Sequence, residues 1–290
     1  MKNRYFDLIE QTFYFPQEGF DIENGYLDFN GIPLIHLIRK YGTPLKLTYL
    51  PRIGAQIKRA RNLFNRSMKN VGYNGQYYYC YCTKACHFRF ILEEVLQNGA
   101  HLETSSSFDI DLIRKLHLQN QVDKNEIILC NGYKAGDYGK KISKLINEGF
   151  KNVIPILDNK EELAIYEELV ENGCKIGMRV ATEEEPNFQF YTSRLGIRNS
   201  EVIQFYKDRL ANNPKFKLEV LHFFVDTGIK DNIYYWNELK KGINKYCELK
   251  KHCPDLTAIN IGGGLPIKNS LGFEFDYGYM ITEIVRQIKD

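Results

Sequence analysis

Eight short apolar runs punctuate the chain: PLKLTYL (44–50), YYYCYCT (77–83), AHLET (100–104), EIILC (126–130), NVIPIL (152–157), KIGMRV (175–180), LEVLHFFV (218–225) and TAINI (257–261). They are continuous rather than alternating, the pattern of strands buried on both faces, as in a parallel sheet. The segments between them are amphipathic. Phe88, Ile91, Leu92, Val95 and Leu96 fall on one helical stripe, and Met280, Ile281, Ile284, Val285 and Ile288 repeat it near the end. A helix over roughly 231–251 places Ile233, Trp236, Leu239 and Ile243 on one face. Gly99, Gly149 and Gly173 stand where helices end and a left-handed cap is expected. Repeated strand–helix units predict an α/β fold with a parallel sheet, either a barrel or a doubly wound layer. No G-x-G-x-x-G opens a helix and no G-K-[ST] follows a glycine loop, which favours the barrel.

Composition narrows the partners. Lysine and arginine number 39 against 36 acidic residues, a balance of +3 that argues against a nucleic-acid surface. The first twenty residues are interrupted by charges, with no signal-peptide core, and no later segment is apolar for long enough to span a bilayer. A cytoplasmic protein with reduced thiols is the expectation. The 7 cysteines are scattered. Cys80, Cys82, Cys86 and His87 are close in sequence, but the first two fall mid-strand and no second cluster has zinc-like spacing, so no metal site is expected. These thiols read as small buried apolar groups.

Two features carry chemistry. In YYYCYCTKACH (77–87) an apolar strand runs into a lysine. Side chains alternate along a strand, so Tyr77, Tyr79, Tyr81 and Thr83 share one face and Tyr78, Cys80, Cys82 and Lys84 the other. With the tyrosines packed outward, Lys84 points into the barrel at the strand's C-terminal end, where barrel enzymes do their chemistry. A strand-end lysine more often snorkels into solvent. In a desolvated pocket it becomes a usable amine nucleophile. The second feature is TAINIGGGLPI, a strand running into Gly262, Gly263 and Gly264. Successive glycines allow backbone N–H groups to close on an anion, although a flexible turn needs glycine too. A phosphate site beside a strand-end lysine is what a pyridoxal phosphate enzyme requires.

With these residues in view, the chain resembles the fold-type III pyridoxal phosphate decarboxylases, which act on ornithine, diaminopimelate or arginine. YGTPLKLTYL, YCYCTK and INIGGGLPI are similar to that family's YGTPLYVYD-like opening, YAVK-like lysine segment and D-[IV]-GGG-[FL] loop. HLETSSSFDIDLI and LCNGYK resemble the L-E-A-G-S-K-x-E-L and I-C-N-G-[YF]-K stretches of the biosynthetic arginine decarboxylases. The resemblance implies a TIM-like (β/α)8 barrel of the alanine racemase type and pyridoxal 5'-phosphate as cofactor. It implies that Lys84 carries the cofactor and that Glu103 and Arg179 (in MRVAT, resembling LRIAT) line the pocket. Thr227 falls at a phosphate-binding serine, and Gly262, Gly263 and Gly264 would take the phosphate. Glu103 and Arg179 also admit plainer roles, as a helix cap and a structural ion pair. One departure stands out. The family's H-x-G-S reads here as Phe224, Val225, Asp226 and Thr227, so a phenyl ring replaces the histidine that stacks on the cofactor. His222, one rung away on the same face, is either a partial substitute or a satisfied core histidine.

By the same resemblance 44–50 lies outside the barrel and 77–83 is its first strand, leaving seven barrel strands. The expectation is an incomplete barrel that lacks its last strand and a C-terminal β domain. Residues 1–43 form an arm that would pair with that domain, and 44–290 form the cofactor barrel. The implied function is decarboxylation of arginine to agmatine and carbon dioxide in polyamine biosynthesis, by a homodimer in the full-length protein. The chain alone is expected to be inactive. Alternatives are a non-catalytic pyridoxal phosphate barrel, a decarboxylase-like regulatory protein, and diaminopimelate or ornithine-type substrates.

Overall fold

The structure, a computed structural model, describes residues 19–181, 195–225, 232–266 and 275–290. It divides into two units, one of Met1–Tyr49 with Leu265–Asp276 and one of Leu50–Gly264 with Tyr277–Asp290. The first holds an antiparallel sheet of β1 (Phe20–Glu23), β2 (Tyr26–Phe29) and β3 (Ile32–Pro33), followed by α1 (Leu34–Tyr41). Two Asn-Gly pairs make its turns, Asn24-Gly25 at φ 52° and 78° and Asn30-Gly31 at φ 52° and 80°. Paired positive φ values are what two-residue hairpins demand, and Asn-Gly supplies them at least cost. The sequence reading of 1–43 as an arm passed over this sheet. It also read 44–50 as a strand-like run, whereas 45–49 is irregular and lies between α1 and α2 (Pro51–Val71). Pro44 and Pro51 offer no N–H to a ladder, and Leu45 and Leu47 are exposed.

The second unit is built on a parallel seven-stranded sheet. Its strands and helices follow in chain order. After α2 come β4 (Cys80–Cys82), α3 (Arg89–Gln97), β5 (His101–Thr104), α4 (Ser107–Leu118), β6 (Ile128–Cys130), α5 (Tyr138–Asn147), β7 (Val153–Leu157) and α6 (Leu163–Leu169). Then come β8 (Cys174–Val180), α7 (Val202–Phe205), β9 (Phe216–Phe223), α8 (Asn232–Lys250), β10 (Ala258–Asn260) and α9 (Tyr277–Lys289). Strand order in the sheet equals chain order, with β4 and β10 at the edges. The seven predicted runs after the first each supply one strand. β7 is buried at all five positions, as a strand covered on both faces must be.

The sheet curls into an open barrel. Leu129, Ile154, Ile156 and Val220 form a buried interior cluster, and Cys80 of one edge strand and Ala258 of the other both pack against it. Opposite edges can meet one cluster only if the sheet bends round it. Outside, Phe64 and Met68 of α2 bury against Ile281 and Val285 of α9. Tyr77 stacks on Phe64 with ring centroids 3.8 Å apart, so it faces outward as expected.

Two helix faces differ from the sequence reading. Phe88 is the N-cap of α3 and is 50% exposed, so the buried stripe there is Ile91, Leu92 and Val95. In α8 the buried positions are Tyr235, Glu238, Leu239, Gly242 and Leu249, while Ile233 is 74% exposed. The face rotates because Gly242 meets the sheet: a Cβ there would lie 2.5 Å from Phe223 Cε1. The helix turns its one missing side chain toward the strand and carries Ile233 outward.

Candidate active site

The C-terminal ends of the strands gather polar residues from both edges of the sheet. Cys82 of β4 sits beside Glu103 of β5 in register, and Arg179 of β8 and Asn260 of β10 both flank His222 of β9. Glu103 is the centre. Asn131, just past β6, donates its side-chain amide to Glu103 Oε1 at 3.3 Å, and Cys82 Sγ approaches the same oxygen at 3.7 Å. Asn260 donates to Oε2 at 3.4 Å. Both carboxylate oxygens are therefore held, one from each side of the barrel mouth. The Cys82 thiol is pushed up to about 11, first by burial and then by the Glu103 charge, so it stands as a neutral S–H donor.

His222 closes the arrangement. Its ring is 2% exposed, with Nδ1 3.1 Å from the main-chain oxygen of Asn260 and Nε2 3.0 Å from Asn131 Nδ2. Burial lowers its pKa to about 4 against the pull of Glu103, and Arg179 pushes in the same downward direction. The imidazole is neutral at physiological pH. Asn131 is held in turn by the Tyr138 hydroxyl, which donates to its main-chain oxygen at 3.2 Å.

The glycine turn begins one strand end away. Gly262 adopts φ 71°, and its N–H donates to Asn260 Oδ1 at 2.8 Å. A Cβ at Gly262 would lie 2.7 Å from Phe224 Cδ2 and 3.1 Å from Phe223 O, so glycine is required by both conformation and space. Around Gly263 nothing lies within 4 Å of that position, and Gly264 is again left-handed at φ 91°. Phe224 and Gly262 are thus in contact, with Phe224 half-buried at the rim. Thr227 and Asp226 lie outside the described residues.

Lys84 takes a different local structure from the one its strand pattern suggests. β4 ends at Cys82, and Thr83–Ala85 form a 3-10 turn on which Lys84 is exposed. Alternation holds as far as Cys80, against the interior cluster, and Cys82, at Glu103. Thr83 is then drawn inward, 1% exposed, with its hydroxyl donating to the Glu103 main-chain oxygen at 3.2 Å. The desolvated amine expected of a strand-borne lysine is not found; Lys84 stands on the rim beside the thiol of Cys82.

A second polar group, which the sequence reading did not single out, lies under the same rim. Lys134, whose side chain is fully buried, pairs with Glu162 at 3.3 Å and donates to the carbonyls of Gly132 and Ile156. Glu162 also accepts the backbone N–H groups of Lys134 and Asp158, each at 3.0 Å. Asp158 lies 3.7 Å from Arg179 Nη1, and its carboxylate oxygens have no hydrogen-bond partner among the described residues. Burial raises its pKa, opposed by Lys134 and Arg179. Arg179 is thus set in a buried charge network whose other members come from 131–162. LCNGYK contains both Asn131 and Lys134, so a signal for part of this set was visible as a motif without a chemical reason.

The family profile described as "pyridoxal-dependent decarboxylase, pyridoxal binding domain" matches residues 54–289, and the chain belongs to that family. A biosynthetic arginine decarboxylase from Prochlorococcus marinus (strain MIT 9215) is 25% identical over 271 residues, covering 87% of this chain and 41% of the relative. The structure of a biosynthetic arginine decarboxylase from Campylobacter jejuni superposes with a TM-score of 0.69 at 22% identity, over 93% of this chain and 46% of that one. A diaminopimelate decarboxylase from M. jannaschii, solved with L-lysine, gives a TM-score of 0.76 at 18% identity, over 94% of this chain and 62% of that one. The shared fold is the alanine racemase-like barrel of these decarboxylases. The chain spans about two fifths of the length of the curated relatives it matches.

The residues present fit a pyridoxal phosphate. The turn at Gly262 offers backbone without Cβ and opens at Gly263, as an anion cradle needs. Phe224 lies against that turn and provides a flat apolar face for a ring. The Glu103 carboxylate, held at both oxygens, stands at the same strand ends.

Proposed function

We propose that the protein is an amino-acid decarboxylase whose pyridoxal 5'-phosphate is held by Lys84, Phe224, Thr227 and the turn Gly262, Gly263 and Gly264, with Glu103, Arg179 and His222 around it. Arginine is the proposed substrate and agmatine the product. The observation that supports this most is the single rim that carries Lys84, the clamped Glu103 and the glycine turn, drawn from both edges of the sheet. When bound, the cofactor supplies an electron sink for loss of carbon dioxide from the α-carbon. Lys84 supplies an amine on a short turn, able to hold the cofactor and to carry a proton. Glu103 keeps a negative charge at a fixed place because two amides orient it. Neutral His222 supports those amides without adding charge. Phe224 excludes water from one ring face but offers no hydrogen bond.

The arginine assignment rests on the names of relatives such as those from Prochlorococcus and Campylobacter. A cytoplasmic homodimer serving polyamine biosynthesis goes with it, as does a division into an arm (1–43) and a cofactor barrel (44–290). Release of carbon dioxide from carboxyl-labelled arginine, ornithine and diaminopimelate is the test, made with cofactor-loaded protein of the curated relatives' length that contains these residues. Preference for arginine supports the proposal, and preference for another amino acid reassigns the substrate. Retained cofactor without release selects the second reading, a cofactor-binding barrel without catalysis. The exposure of Lys84 and the phenyl ring at 224 favour that reading.

A further inference from the structure

The bonds around Glu103 form a closed set whose hydrogens can be assigned. A carbonyl only accepts, so His222 Nδ1 carries the proton it donates to Asn260 O. The ring is neutral, so Nε2 is an acceptor, and the group facing it at 3.0 Å must be a donor. That donor is the Asn131 amide nitrogen, whose side-chain oxygen is already turned to the Gly132 N–H at 2.9 Å. Of its two N–H bonds, one reaches His222 and the other Glu103 Oε1. Asn260 is used at three atoms: its main-chain oxygen accepts from His222, its amide donates to Glu103 Oε2, and its side-chain oxygen accepts from Gly262 N–H.

We propose that Asn260 and Asn131, oriented by His222 in its Nδ1–H tautomer, are positioning residues that set the Glu103 carboxylate and the glycine turn as one unit. This rests on the cofactor reading above. Asn260 touches both ends of the site, so moving the turn moves a donor of Glu103, and a change at the carboxylate is felt at Gly262. Polarity is fixed at three points: Asn260 O holds the proton on His222 Nδ1, and the Gly132 N–H and Glu103 Oε1 turn the Asn131 amide. Were the His222 proton on Nε2, Asn131 would have to reverse its amide, and Glu103 would lose a donor and face an oxygen instead.

The test combines two measurements on the 290-residue chain. In cofactor-free protein, nitrogen NMR of the His222 ring shows the Nδ1–H tautomer. An Nε2–H ring in the parent protein overturns the proposal. The second measurement is pyridoxal phosphate affinity of the parent, Asn260→Asp, Glu103→Gln and the double variant. Asn260→Asp keeps the size and the acceptor for Gly262, cannot donate to Glu103 and sets a second carboxylate against it, so its loss is at least that of the hydrogen bond. Loss of one hydrogen bond to a charged group weakens binding by about tenfold, and Glu103→Gln does the same. The double variant is no weaker than the weaker single, because the two residues act through one contact. Multiplied losses, or an Asn260→Asp affinity equal to the parent's, overturn the proposal. Absence of cofactor binding by the parent itself counts against the functional reading, and the tautomer then decides the inference alone.

Discussion

His222 shows how far a residue's role depends on its partners. A histidine in an apolar strand reads from sequence as either a core residue or a stand-in for the missing stacking histidine. The structure places it below the rim, its ring taken up by Asn131 and Asn260, so it serves the pocket from beneath. Its pKa of about 4 in the folded protein lies below its ordinary value of 6.5, so the unfolded chain takes the proton first as pH falls. Stability linked to His222 is complete above about pH 6.5 and declines down to about pH 4, by about 3 kcal/mol in all. Urea unfolding at pH 7 and pH 5 should show a larger loss for the parent than for His222→Gln; equal losses would mean the ring is not buried neutral. Phe224 was legible as a departure but not its contact, because nothing in LHFFVDTG tells that its ring lies against Gly262. Phe224→Ala is expected to weaken cofactor binding by about fivefold to tenfold, the worth of about 1 kcal/mol of ring packing, measured by fluorescence titration.

At the scale of elements, the seven barrel strands were legible because strands covered on both faces must be continuously apolar, as β7 is at every position. The antiparallel sheet of β1 to β3 was missed although two Asn-Gly pairs announced it, because its strands are only two to four residues long. The face of α8 was misread because an empty position, Gly242, decides it, and a pattern of apolar residues cannot weigh a side chain that is absent. Lys84 is exposed for a related reason: alternation presumes that the strand continues, and β4 ends at Cys82, where the 3-10 turn Thr83–Ala85 begins. The glycine turn gives an internal comparison. Gly262→Ala forces a left-handed alanine against Phe224 and should lower stability by about 1–2 kcal/mol and weaken cofactor binding. Gly263→Ala, with open space and no left-handed φ, should leave thermal stability unchanged. Equal effects in melting experiments would contradict the arrangement of the turn.

For the whole molecule, motifs separated by up to about 180 residues in sequence meet at one rim because the parallel sheet brings every strand's C-terminal end to the same side. That is why the family could be read from YCYCTK and INIGGG while the bonds between them could not: Asn131 and Asn260 are ordinary residues in sequence and acquire meaning only across the barrel. The helical layer holds the curl. Ile281 of α9 is 2% exposed and packs with Phe64 and Met68 of α2. Ile281→Ala should cost about 2–5 kcal/mol in denaturant unfolding, and a loss below about 1 kcal/mol would mean that these helices do not pack as described.

The central claim is that the amine of Lys84 and the turn at Gly262 to Gly264 serve one cofactor. Reduction of pyridoxal phosphate-loaded protein with borohydride, followed by peptide mass mapping, tests it directly. One cofactor attached to the peptide containing Lys84, and lost in Lys84→Ala, is the predicted result; attachment spread over other lysines, or none at all, would contradict it.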